Sequence, residues 1–139
     1  MQLYSLLIEG FRKHLKTEVI FSDSTFLIGE NNVGKSSILY ALDYLLGART
    51  SIPADEFYAL EDGGERKVAV ENIVFTAEFR KIPREANLWR GFKGRLLQYE
   101  PDKKDPLDTG LKFIYRKTYS KSGKVKIETF ENPKSYKSE

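Results

Sequence analysis

The sequence predicts a mixed fold, α/β around one glycine-flanked loop and α+β over the chain as a whole, and three observations carry that reading. In residues 26–46, FLIGENNVGKSSILYALDYLL, an apolar run breaks into a polar loop and resumes with a helical period. In residues 73–80, Ile73, Phe75, Ala77 and Phe79 alternate with Val74, Thr76, Glu78 and Arg80, the pattern of a strand with one face in the core and one in water, which favours antiparallel pairing. The length of 139 residues suffices for one compact core.

The elements follow in order. Residues 3–8 are a short apolar run that reads as a buried strand, with Gly10 expected to end it. Residues 19–21 give a second short strand. After the Ser22, Asp23, Ser24 break, residues 25–28 are β-branched or aromatic and bounded by Gly29, so they read as a third. From Lys35 the period becomes helical: Ile38, Ala41, Leu42 and Leu45 fall on one stripe, which Leu39 and Leu46 are expected to widen, and Gly47 is placed to cap the C-terminus. Ile73, Phe75, Ala77 and Phe79 form the inner face of the alternating strand. Residues 111–119 and 124–130 repeat that pattern around SKSG, residues 120–123, a hairpin turn. Between them, Pro83 is placed to open a short helix carrying Leu88, Trp89 and Phe92, and the stretch after Tyr99 reads as an exposed loop. The end, NPKSYKSE, is polar.

Composition removes several function classes. With no cysteine there is no disulfide, thiol nucleophile or thiolate metal site, and the single histidine, His14, excludes multi-histidine zinc sites. A reducing, cytoplasmic setting fits this. No apolar run reaches the ~20 residues of a membrane span, and the N-terminus lacks the parts of a secretory signal. The net charge of +3 is concentrated late, residues 111–139 carrying 8 basic against 3 acidic side chains.

Gly29, Glu30, Asn31, Asn32, Val33, Gly34, Lys35 and Ser36 match G-x-x-x-x-G-K-[ST] at every fixed position. The spacing has a chemical reason. Glycines let the backbone turn tightly, so that successive N–H groups and the positive end of the following helix cradle anionic phosphates. Lys35 would reach the β- and γ-phosphates and Ser36 would ligate Mg²⁺. Asn31 and Asn32 tolerate left-handed backbone at the crown. Average residue usage gives the fixed positions by accident in on the order of half a percent of such chains, so a nucleotide triphosphate site is the reading of this loop.

Residues 3–47, with IEGFRKH and then LIGENNVGKSS, resemble the N-terminus of the ABC-type ATPase heads shared by SMC proteins, RecF and the OLD family of ATP-dependent nucleases. The paired asparagines and the later SIPADEF look most like the OLD family. The resemblance implies a P-loop NTPase N-terminal lobe over residues 1–139, with strand, loop and helix at 25–47, an antiparallel β-subdomain at about 68–131 and a polar tail at 132–139. It implies ATP and Mg²⁺ as cofactors, Ser37 in the phosphate loop, Arg12 and Lys13 near the nucleotide, a second head as partner in a homodimer, and DNA as a partner of the intact protein. ATP would close two heads and hydrolysis would reopen them. An alternative is an interaction module that binds ATP without turnover.

The hydrolytic half of such a site is not legible. FYALED, residues 57–62, puts two carboxylates after an apolar run but in the order Glu-Asp and without strand alternation; EDGGE, residues 61–65, reads as a turn; Gln98 sits in an irregular stretch. No Asp-x-Asp occurs, so nuclease chemistry lies outside these residues. The chain is expected to be the N-terminal lobe of a larger protein, whose helix needs further parallel strands to cover it. The C-terminal lysines with Phe113, Tyr115, Tyr119 and Phe130 would suit nucleic acid; the favoured reading is lysines on the wet face of a hairpin, guarding an edge. His14 is read as a surface histidine.

Overall fold

A computed structural model describes residues 1–21 and 34–130. The expected strand at 25–28, the loop residues Gly29, Glu30, Asn31, Asn32 and Val33, and the polar tail at 132–139 lie outside the described residues.

The described chain is an antiparallel sheet with one helix on its inner face. Its strands are β1 (Gln2–Phe11), β2 (His14–Ile20), β5 (Asn72–Arg80), β6 (Leu97–Gln98), β7 (Leu111–Ser120) and β8 (Val125–Thr129), in the order β2-β1-β5-β7-β6 with β8 also paired to β7. A separate hairpin joins β3 (Ala59–Asp62) to β4 (Glu65–Val68). The helix α1 is Gly34–Leu46.

Alternation explains the sheet. Leu6 and Ile8 of β1, Ile73, Phe75 and Ala77 of β5, and Tyr119 of β7 all point inward and are buried. Against them α1 sets Ile38, Ala41, Tyr44 and Leu45. Each large apolar side chain removed from water contributes roughly 1.5–3 kcal/mol, an upper bound since the unfolded chain is not fully extended. Phe11, Tyr44, Phe75 and Tyr119 form an aromatic centre: the Phe11 and Phe75 rings meet edge to face at 5.1 Å, and Tyr44 and Tyr119 at 5.7 Å. A smaller cluster of Ile82, Ala86, Leu96 and Phe113 lies under the 80–110 connection, where Phe92 stacks on Phe113 at 4.2 Å.

Several expectations are corrected. β1 does not end before Gly10 but runs through it to Phe11. A Cβ at Gly10 would lie 2.6 Å from the Asn72 carbonyl oxygen, and its φ is +76°, so this glycine marks a close approach between strands rather than a stop. β2 is longer than residues 19–21 because His14, Lys16 and Glu18 are polar and hid the pairing with β1. Leu39 and Leu46 do not widen the buried stripe of α1; both are about half exposed, and Tyr44 takes the core position. Gly47 does follow the helix, its N–H donating to the Asp43 carbonyl at 2.8 Å. There it is required because a Cβ would sit 2.5 Å from that oxygen, not because the backbone turns left-handed.

Other differences lie in the connections. β3 and β4 had no apolar alternation to announce them; their hairpin is polar and turns through Gly63 and Gly64, both at positive φ, where a turn was expected. The helix expected from Pro83 is a 3-10 turn, Arg84–Leu88, that stops before Trp89 and Phe92 and buries only Ala86. The stretch after Tyr99 is folded on itself: Tyr99 Oη donates to Asp108 Oδ1, whose carboxylate also accepts the Asp102 and Gly110 amides. No described helix is long and apolar enough to cross a membrane.

Candidate nucleotide-binding site

The site is assembled where the β1–β2 hairpin turn meets the N-terminus of α1. Phe11 pairs with His14, so Arg12 and Lys13 form a two-residue tip, and Arg12 adopts φ +53°. Residues 53–58 run beside the end of β1. Phe57 bridges to Phe11, the Tyr58 N–H donates to the Gly10 carbonyl at 2.8 Å, and the Arg12 N–H donates to the Glu56 carbonyl at 2.7 Å. A 3-10 turn, Ala54–Glu56, thereby brings Glu56 beneath the hairpin tip.

Arg12 is the hub. Its Nε donates to Glu56 Oε1 at 3.0 Å and its Nη2 to Oε2 at 3.1 Å, a bidentate fork, while Nη1 donates to Ser37 Oγ at 3.4 Å. The guanidinium carbon lies 4.5 Å from the Tyr40 ring centre and 5.0 Å from that of Phe11. The side chains of Arg12 and Glu56 are 27% and 15% exposed, so this pair is better shielded from water than an ordinary surface ion pair.

The first turn of α1 carries Gly34, Lys35, Ser36 and Ser37. Ser36 is exposed and Ser37 is buried beside Arg12. The opening N–H groups of any helix have no partner within it and carry partial positive charge, so this end of α1 suits an anion. Lys13 is exposed at the hairpin tip. His14 Nδ1 shares a 3.0 Å hydrogen bond with Thr17 Oγ1, and burial, then the Arg12 charge, pushes its pKa below the usual imidazole value. Among the described residues no cluster of three histidine or acidic side chains is placed to hold a metal ion.

Glu56 and Tyr40 were not reached by sequence reasoning. Glu56 lies 44 residues from Arg12, and no spacing rule links a hairpin tip to a distant turn. The late aromatics are also relocated: Phe113 and Tyr119 are buried and Tyr115 is half-buried against the core, so they form no exposed stacking surface. Gln98 is exposed on β6, the short edge strand beside β7.

The sequence matches the AAA ATPase domain family over residues 1–138. It is 26% identical over 102 residues to the DNA replication and repair protein RecF of Pseudarthrobacter chlorophenolicus, covering 73% of this chain and 25% of that protein. The chain thus spans about a quarter of the length of that relative. Two solved structures share the fold. One, from work on the structural biochemistry of ATP-driven dimerization and DNA-stimulated activation of SMC ATPases, superposes with a TM-score of 0.59 at 18% identity, over 95% of this chain and 71% of the other. The other is the SMC head domain from Thermotoga maritima, with a TM-score of 0.56 at 16% identity, over 96% and 38%. By the family match the chain belongs to the AAA ATPase domain family, and it has the sheet-dominated fold of the N-terminal lobe of SMC ATPase heads.

Proposed function

We propose that this chain is the ATP-binding N-terminal lobe of an OLD-like, DNA-associated ATPase, with the strand, phosphate loop and helix at 25–47 and an antiparallel β-subdomain at about 68–131. The observation that carries the reading is the GENNVGKS sequence running directly into α1. In it, Gly29, Glu30, Asn31, Asn32, Val33 and Gly34 present backbone amides to the triphosphate, Lys35 pairs with its outer phosphates, and Ser36 holds Mg²⁺. Ser37 closes the loop beneath Arg12, and Lys13 lies in the outer rim of the site. Magnesium bound there supplies charge neutralisation on the β- and γ-oxygens. The chain's own residues bind and orient the tail, with Arg12 packed against the Phe11 and Tyr40 rings.

The paired asparagines and the SIPADEF stretch favour the OLD branch. The RecF relative and the SMC-like fold support a DNA-associated role in which ATP closes two heads of a homodimer in the cytoplasm. The decisive experiment uses calorimetry with intact protein and MgATP. Lys35→Ala is expected to abolish measurable binding, and sedimentation is expected to detect a dimer with ATP but not with ADP. ATP binding by Lys35→Ala at wild-type affinity would refute the site, and a monomer at saturating ATP would refute the closure.

A further inference from the structure

We propose that Glu56 is a positioning residue for Arg12, fixing its guanidinium over the first turn of α1 so that it meets the nucleotide's anionic tail without searching rotamers. The inference rests on the nucleotide site proposed above. Glu56 holds Arg12 twice, accepting its backbone N–H at 2.7 Å and gripping its side chain through both carboxylate oxygens at 3.0 and 3.1 Å. One residue thereby sets both the hairpin tip and the plane of the fork. Glu56 is itself seated, since its N–H donates to the Pro53 carbonyl at 3.0 Å and its neighbour Phe57 bridges to Phe11 in the buried core.

The geometry directs what remains of the fork. Glu56 takes two of the five guanidinium donors, and Nη1 faces Ser37, two residues beyond Lys35 in the same helical turn. Tyr40 and Phe11 limit rotation about the guanidinium's long axis. Two effects of Glu56 on nucleotide affinity oppose each other. Its negative charge near phosphate weakens binding, whereas its pinning of a side chain rich in rotamers strengthens binding by removing freedom beforehand. The second effect is expected to win, because the charge of Glu56 is already paired with Arg12 at contact distance, while the orientation it imposes is retained.

The sign of the mutational effect therefore decides the matter. In intact protein titrated with MgATP by calorimetry, Glu56→Ala is expected to weaken binding about tenfold, which corresponds to about 1.4 kcal/mol. Arg12→Ala should do the same, and the double variant should be no weaker than Arg12→Ala alone, since Glu56 acts through Arg12. Arg12→Lys keeps the charge but lacks the fork, and should resemble Glu56→Ala. It also serves where Glu56→Ala does not fold, as judged by circular dichroism. Unchanged or tighter ATP binding by a folded Glu56→Ala, or additive losses in the double variant, overturns the inference. Lys35→Ala run alongside separates the cases: if it still binds ATP, the site itself is wrong; if it does not and Glu56→Ala binds normally, only the positioning role falls.

Discussion

Replacing Tyr119 with phenylalanine tests how the helix that carries Lys35 and Ser36 is held at its far end. Tyr119 is 1% exposed, and its hydroxyl donates to the Tyr44 carbonyl at 2.6 Å, with the Arg49 carbonyl at 3.3 Å. Tyr44 belongs to the last turn of α1, whose final four carbonyls have no partner within the helix. The substitution keeps the ring contacts with Tyr44 at 5.7 Å and Phe75 at 6.1 Å, so the change is confined to the hydroxyl. The lost bond amounts to about 1 kcal/mol and the stranded carbonyl to about 1–2 kcal/mol more, so a loss of about 2–3 kcal/mol is expected. Urea unfolding of this chain, followed by far-ultraviolet circular dichroism, measures it as a lower midpoint at constant slope. A loss below about 0.5 kcal/mol would refute the anchoring, since that is the size of an ordinary surface change. An alkaline arm checks the same contact. Burial pushes the Tyr119 pKa up from 10.0 to about 12, so the folded state holds a proton there that the unfolded state releases. Stability from this group is full below pH 10 and falls as pH rises towards 12, and this component should vanish in Tyr119→Phe. Lys117, whose pKa burial lowers, tilts stability the other way below 10.5.

Two further outcomes follow from the hairpin that presents Arg12. Gly10→Ala should cost about 2–4 kcal/mol in the same urea assay, because the new Cβ meets the Asn72 carbonyl at 2.6 Å in a backbone conformation at φ +76°; a cost under about 1 kcal/mol would mean the strands part easily. The His14 imidazole should titrate below 6.5 by nuclear magnetic resonance, being held neutral by burial and by Arg12. Its folded pKa is depressed, so the unfolded state binds more protons, and stability is present above 6.5 and declines as pH falls through the folded value; His14→Gln should flatten that decline.

Where the pattern was strong, the fold could be read. β5 and β7 alternate over nine and ten residues, and their inward faces are those that the period-two pattern selects. α1 could be read from Lys35 onward, but its buried face was drawn too wide, because Leu39 and Leu46 are apolar yet about half exposed. Tyr44, a polar-tipped residue, entered the core because its ring packs among Phe11, Phe75 and Tyr119. β2, β3 and β4 were missed or shortened for one reason: their side chains are mostly exposed, so the ladder hydrogen bonds that define them leave no trace in the hydrophobic pattern. At the candidate site, the loop motif was visible as residue types at a fixed spacing, and Arg12 entered only through the family resemblance. The contact between Arg12 and Glu56 was not, because it depends on how two loops meet at the end of β1.

Lys117 carries the sharpest lesson about reading charge. The late lysines were taken to guard a wet edge, yet Lys117 lies on the inward face of β7, in step with Phe113 and Tyr119, and is 2% exposed. Its Nζ donates to the Arg49 carbonyl at 2.6 Å and to the Gly47 carbonyl at 3.3 Å, just past the end of α1. That end holds partial negative charge and carbonyls without helical partners, so a buried ammonium is matched there by the acceptors and the dipole of the helix. Period two, followed strictly, points Lys117 inward; charge alone points it outward. The acceptors at the helix end decide between them, and they belong to residues about 70 positions away. With Tyr119 donating to Tyr44, β7 thus seats the C-terminal end of the helix whose other end meets Arg12.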